Sequence, residues 1–168
     1  LGDSESYSSI IPTQMWQQQG ITSYVCGSHA QRLCYSEELM KRAFDCQSPK
    51  VVILETNALY RKISFAYSLR HSLEQFLPVF RYHNRWKSLT LRDFDFTVNY
   101  NHMEVNKGYW YRSNVKSAST SKYMKPSDKT EQVSAKNRRY VERIAQFCAD
   151  HDAQLILLST PSTKNWNA

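Results

Sequence analysis

Ser4 lies between two carboxylic acids in Gly2-Asp3-Ser4-Glu5-Ser6, directly after Leu1. Two more polar clusters follow at intervals, Gly27-Ser28-His29 and Glu55-Thr56-Asn57. Together these residue types can carry out acyl transfer. A serine hydroxyl attacks a carbonyl only when a base accepts its proton. The tetrahedral intermediate then carries a negative oxygen that needs fixed donors, each worth on the order of 2.7–4 kcal/mol. Ser4, Gly27 and Asn57, beside three inferred strand ends, would supply a nucleophile and donors together. Glycine suits the second position because it lets backbone approach the reacting centre. Taken singly, Gly2-Asp3-Ser4 also reads as an ordinary turn and Asn57 as an ordinary helix cap.

The elements that must position these groups are strands. A β-prone run at 22–26 ends at Gly27, an apolar run at 51–54 follows Pro49 and Lys50, and a third at 155–158 precedes Ser159-Thr160-Pro161-Ser162. The second and third are unbroken apolar runs, as in parallel strands covered on both faces by helices. Helical spacing separates them. Residues 30–44 carry Leu33, Leu39, Met40 and Phe44, and residues 129–149 carry the stripe Val133, Tyr140, Val141, Ile144 and Cys148, with Ser127 or Asp128 as cap. A short helix over 13–19 starts behind Pro12 and stops at Gly20. Strand and helix in alternation predict an α/β fold, whose ligands gather beyond the carboxyl ends of the strands. Residues 60–126 differ: a helix near 65–77 is followed by an aromatic, polar stretch, read as an insertion over the strand ends.

The chain of 168 residues fits one domain, with 41% hydrophobic and 22% charged residues. No apolar run reaches the length of a membrane span. Lys and Arg number 22 against 15 Asp and Glu, a net charge of +7 that draws anionic partners without choosing among them. Basic and aromatic residues interleave around His83, Arg85 and Trp86 and again from Lys107 to Arg112. No recognition helix, zinc finger or RNA platform accompanies them, so no nucleic-acid partner is expected; stacking on sugar rings uses the same residue types. The four cysteines have no metal-ligand spacing, and neither metal nor cofactor is expected.

The three clusters, in this order beside three strand ends, resemble the block pattern of the SGNH (GDSL-like) hydrolase superfamily. The resemblance extends through Gly2-Asp3-Ser4-Glu5-Ser6-Tyr7-Ser8, Tyr24-Val25-Cys26-Gly27, Pro49 through Asn57, Tyr82 through Lys87, Lys107-Gly108-Tyr109 and Ser159-Thr160-Pro161-Ser162. Those stretches are similar to a bacterial extracytoplasmic group of SGNH domains. The resemblance implies a flavodoxin-like, three-layer α/β/α sandwich around a parallel sheet. It also implies Ser4 as nucleophile, with Gly27 and Asn57 in the oxyanion hole. Glu55 and Ala58 depart from the family's Gly-x-Asn-Asp block. The family's Asp-x-x-His block is absent, and its first strand is represented by Leu1 alone, so the gene product is expected to extend at both ends. An anchor outside the chain and a location outside the cytoplasm follow from the same resemblance.

Two functions remain open at this point. One is a serine esterase or O-acyltransferase acting on acyl groups of a carbohydrate or another ester, with His83, Arg85 and Trp86 as substrate contacts. The other is a carbohydrate-binding module that keeps the fold without catalysis, which the missing histidine favours. Nucleic-acid binding, a third reading, rests only on the net charge of +7 and the aromatic-basic mixture. Of the five histidines, His29, His83 and His102 are the ones within reach of the strand ends to stand in for the absent base, with His83 read first as a substrate contact, while His71 and His151 read as structural.

Overall fold

A computed structural model of the chain describes residues 1–76, 104–111, 113 and 130–160. They fall into two compact units, one of Leu1–Lys62 with Asn106–Ala168 and one of Ile63–Val105.

The first unit holds the sheet. Strands β1 (Val51–Glu55) and β2 (Gln154–Leu158) pair in parallel, with Val51 opposite Gln154 and Glu55 opposite Leu158. Leu1 continues the ladder on the far side of β1: its nitrogen donates to the Ile53 carbonyl at 2.6 Å, and the Glu55 N–H donates to the Leu1 carbonyl at 2.9 Å. On the other edge the Gly2 N–H donates to the Cys26 carbonyl at 3.4 Å and the Ser28 N–H to the Gly2 carbonyl at 3.3 Å. That makes Gly2 and Gly27 an isolated parallel bridge. The lateral order is therefore residues 26–28, then Leu1 and Gly2, then β1, then β2.

Helices cover this sheet. Helix α1 (Ser4–Ser9) follows directly from Gly2, and α2 (Pro12–Gln19) begins at proline and ends at Gly20 in the left-handed region. Helix α3 (Leu33–Cys46) packs against the last helix of this unit, Ala135–Asp150, which in turn lies on β2. The core is Leu33, Cys34 and Met40 from α3, Val52 and Leu54 from β1, and Ile144 and Cys148 from Ala135–Asp150. Arg143 joins the two helices through Nε to Glu37 Oε1 at 3.1 Å and Nη2 to Glu37 Oε2 at 2.5 Å. Burial pushes the Glu37 carboxyl up, but Arg143 and Lys41 more than offset this and hold it below the ordinary glutamate value. Burial pushes the Cys34 thiol up to about 11 and raises Cys26 and Cys148 as well, so these thiols stay protonated packing groups.

The second unit contributes α4 (Phe65–Phe76), on which Phe65, Leu69 and Leu73 are exposed. Numbering in chain order makes Ala135–Asp150 helix α5.

Several expectations change. Residues 22–26 form no strand, because the Val25 N–H donates to the Lys107 carbonyl at 2.9 Å instead of to a sheet neighbour; only Gly27 bridges. The apolar run of β2 is not buried on both faces, since Ile156 and Leu157 are exposed. Helix α5 starts at Ala135, later than the periodicity indicated, and Ser134 caps it by accepting the Asn137 N–H. Ser127 and Asp128, named as caps, lie outside the described residues.

Candidate functional site

Ser4 is the first residue of α1, and Asp3 sets it there. The Asp3 side chain accepts the Glu5 N–H at 3.0 Å, satisfying one of the unpaired donors of the first turn. This carboxylate is buried, and its other oxygen is paired with the Arg61 guanidinium. Gly2-Asp3-Ser4 is thus a strand end running straight into a capped helix. Ser4 is half-buried, and its hydroxyl has no hydrogen-bond partner among the described residues.

Gly27 comes beside Ser4 through its bridge to Gly2. Tyr7, one turn after Ser4, packs its ring against the Gly27 Cα, so that a Cβ there would meet Tyr7 Cδ1 at 3.0 Å. The bridge uses the N–H groups of Gly2 and Ser28, leaving the Gly27 N–H on the opposite edge from Gly2. The turn that follows holds Ala30 at φ 52°, a left-handed conformation that costs a non-glycine residue of order 1–2 kcal/mol. Strain of this kind collects at functional sites. Buried Gln31 supports the turn through Nε2 to Ser36 Oγ at 2.9 Å and by accepting from Ser28 Oγ at 3.1 Å.

Asn57 is held from both ends. It lies in a 3-10 helix, Thr56–Leu59, capped by Glu55, whose carboxylate accepts the Asn57 N–H at 2.7 Å. Asn57 is therefore not the cap; Glu55 is. Its Nδ2 donates to Glu5 Oε2 at 2.7 Å, and Thr160 Oγ1, two residues beyond β2, donates to the same oxygen at 2.7 Å. The clusters after β1 and β2 thereby meet on the residue next to Ser4. Burial raises the Glu55 carboxyl above its ordinary value, and the charges of Asp3 and Glu5 raise it further, against the pull of the Asn57 N–H and Arg61. Among the described residues, Glu55 Oε2, Ser6 Oγ and Arg61 Nε are buried without hydrogen-bond partners. Asn137 of α5 secures the chain after the 3-10 helix, donating to the carbonyls of Leu59 at 2.7 Å and Arg61 at 3.0 Å.

An aromatic wall borders Gly27. Tyr7 and Trp110 stack with centroids 5.9 Å apart, and the Trp110 N–H donates to the Tyr7 carbonyl at 2.8 Å. Tyr7 is buried while Trp110 is 60% exposed. Tyr24 and Tyr111 are exposed too. His83, Arg85, Trp86 and His102 lie outside the described residues. His29 is exposed beside Gly27, His71 stacks on Tyr67, and His151 stacks on Phe147.

Sequence reasoning missed Glu5, Thr160, Arg61 and Trp110 as members of this neighbourhood. Thr160 was within reach of the strand-end rule, since it stands after β2 as Asn57 stands after β1. Glu5 stood in the first polar cluster, but its partner Asn57 is 52 residues away and no local pattern links the two. Among the described residues no helix is long and apolar enough to cross a membrane. No family model, curated protein or solved structure matches the chain.

Proposed function

We propose that the chain is an SGNH-type serine hydrolase that removes or transfers O-acyl groups, acetyl above all, on a carbohydrate outside the cytoplasm. The observation that carries this reading is the meeting of three clusters at the carboxyl ends of adjacent parallel segments: Gly2 against Gly27, and Asn57 against Glu5 beside Ser4. The lateral order of those segments favours a flavodoxin-like, three-layer α/β/α arrangement.

In this mechanism the Ser4 oxygen bonds to the ester carbonyl carbon while its proton passes to a base; in the family this is the histidine of an Asp-x-x-His block. The Asn57 amide and the Ser4 backbone N–H receive the negative carbonyl oxygen; the Gly27 N–H, the third donor expected, faces the edge away from Gly2. The carbonyl reforms, the bond to the alcohol oxygen breaks, and that oxygen takes the proton from the base. Water or a sugar hydroxyl then releases the acyl group from Ser4 by the same steps. Sugar rings would be bound through His83, Arg85 and Trp86, with the exposed Trp110 as a further aromatic neighbour.

Labelling of Ser4 by a fluorophosphonate in the native full-length gene product tests the reading. Adduct formation lost in Ser4→Ala is the expected result; a wild-type protein with no adduct and no ester turnover sinks it. The second reading, a glycan-binding module without catalysis, draws on the unpartnered Ser4 hydroxyl among the described residues. Glycan binding without turnover would select it.

A further inference from the structure

We infer that Glu5 is a positioning residue that orients the Asn57 amide toward the site, an inference that rests on the serine-hydrolase reading. The geometry is specific. One carboxylate oxygen, Glu5 Oε2, receives Asn57 Nδ2 at 2.7 Å and Thr160 Oγ1 at 2.7 Å. Three elements that are distant in sequence are thereby tied at one atom: the first turn of α1, the 3-10 helix after β1, and the segment after β2.

A primary amide has an acceptor end and a donor end of nearly the same shape, and only the donor end can hold an oxyanion. An ionised carboxylate accepts hydrogen bonds and cannot donate them. Facing Glu5, the Asn57 side chain must therefore present its NH2 group rather than Oδ1. One N–H is spent on Glu5, and the other is fixed in the plane of the same amide. Because Glu5 follows Ser4 directly, the donor end is turned toward the first turn of α1. Glu55 fixes the Asn57 backbone through its N–H at 2.7 Å, so the amide has little freedom left at either end. Thr160 gives Glu5 a second donor and keeps its oxygen from following the Asn57 side chain. Donors held in place before the reaction stabilise a developing charge without reorganising.

A double-mutant cycle tests this in the native full-length gene product, with Glu5→Ala, Asn57→Ala and both changes together. The readouts are kcat and KM on an aryl acetate, the rate of fluorophosphonate labelling at Ser4, and melting temperature. Glu5→Ala is expected to lower kcat about tenfold with KM little changed, a smaller loss than the roughly 100-fold expected for deleting the donor. In the Asn57→Ala background the same change should cost nothing further, because Glu5 acts through Asn57. Glu5→Gln, which keeps an acceptor oxygen, should recover part of the rate. Losses that multiply independently would overturn the inference. If the wild-type protein neither labels nor turns over ester, the hydrolase reading falls, and NMR of the Asn57 side-chain amide then decides the positioning role. Amide protons shifted downfield in the wild type and returned to ordinary positions in Glu5→Ala support it; ordinary positions in the wild type overturn it.

Discussion

Gly2 and Gly27 face one another as a parallel bridge, and each is crowded by its surroundings. A Cβ on Gly2 would stand 2.0 Å from Ser6 Oγ and 2.6 Å from Glu55 Cβ. A Cβ on Gly27 would stand 3.1 Å from the Gly2 carbonyl oxygen. At Gly2 something must shift to admit a side chain, whereas at Gly27 Tyr7 or the Gly2 carbonyl would have to give by a few tenths of an ångström. Gly2→Ala is expected to destabilise the protein by about 3 kcal/mol, the upper range for overpacking, read as a shifted urea midpoint. A Gly2→Ala variant as stable as wild type would show that the two segments do not lie this close.

The raised Glu55 carboxyl has a direction that can be measured. A group that binds its proton more tightly when folded adds stability below its unfolded value and loses it as pH rises through its folded value. Glu55→Gln keeps an acceptor for the Asn57 N–H and removes the buried charge. The variant should melt above wild type at neutral pH, and the difference should vanish below the ordinary glutamate value. A pH-independent difference contradicts the burial argument.

Glu37 works in the opposite sense. Its lowered carboxyl contributes stability that is present above the unfolded value and lost as pH falls through the folded one. Arg143 is more than half exposed, so solvent screens the pair. Arg143→Ala should cost up to about 1 kcal/mol at neutral pH. The loss should fade in acid and at high salt, as followed by denaturant titration.

Trp110 is exposed and stacks on Tyr7, which packs against Gly27. Trp110→Ala should raise KM for an acetylated oligosaccharide by roughly five- to tenfold, the worth of about 1 kcal/mol of aromatic stacking. A small aryl acetate should be affected less. Equal effects on both substrates would point to a general disturbance of Tyr7 rather than to a lost sugar contact.

Periodicity read the regular elements closely: β1, β2, α3 and α4 each lie within about three residues of the expected bounds. It failed where tertiary partners override local pattern. Residues 22–26 look like a strand, yet Val25 pairs with Lys107, about eighty residues away, which no local pattern reveals. Helix α1 was not anticipated, because a strand end and a helix start share the residues Gly2-Asp3-Ser4 and six residues show no period. In the site, the order of the polar clusters named Ser4, Gly27 and Asn57 as candidates, and the structure brings Gly27 against Gly2 and Asn57 against Glu5. What holds them was not, because the links from Glu5 to Asn57 and Thr160 and from Asp3 to Arg61 join residues from distant parts of the chain.

The pairing of Val51 with Gln154 has a consequence for synthesis. At roughly 5–20 residues per second, β1 leaves the ribosome several seconds before its partner exists. Through that interval its hydrogen-bonding edge, and Val52 and Leu54 with it, is open to other nascent chains. Slowing elongation should therefore lower the soluble yield, and a chaperone that shields extended apolar segments should restore it.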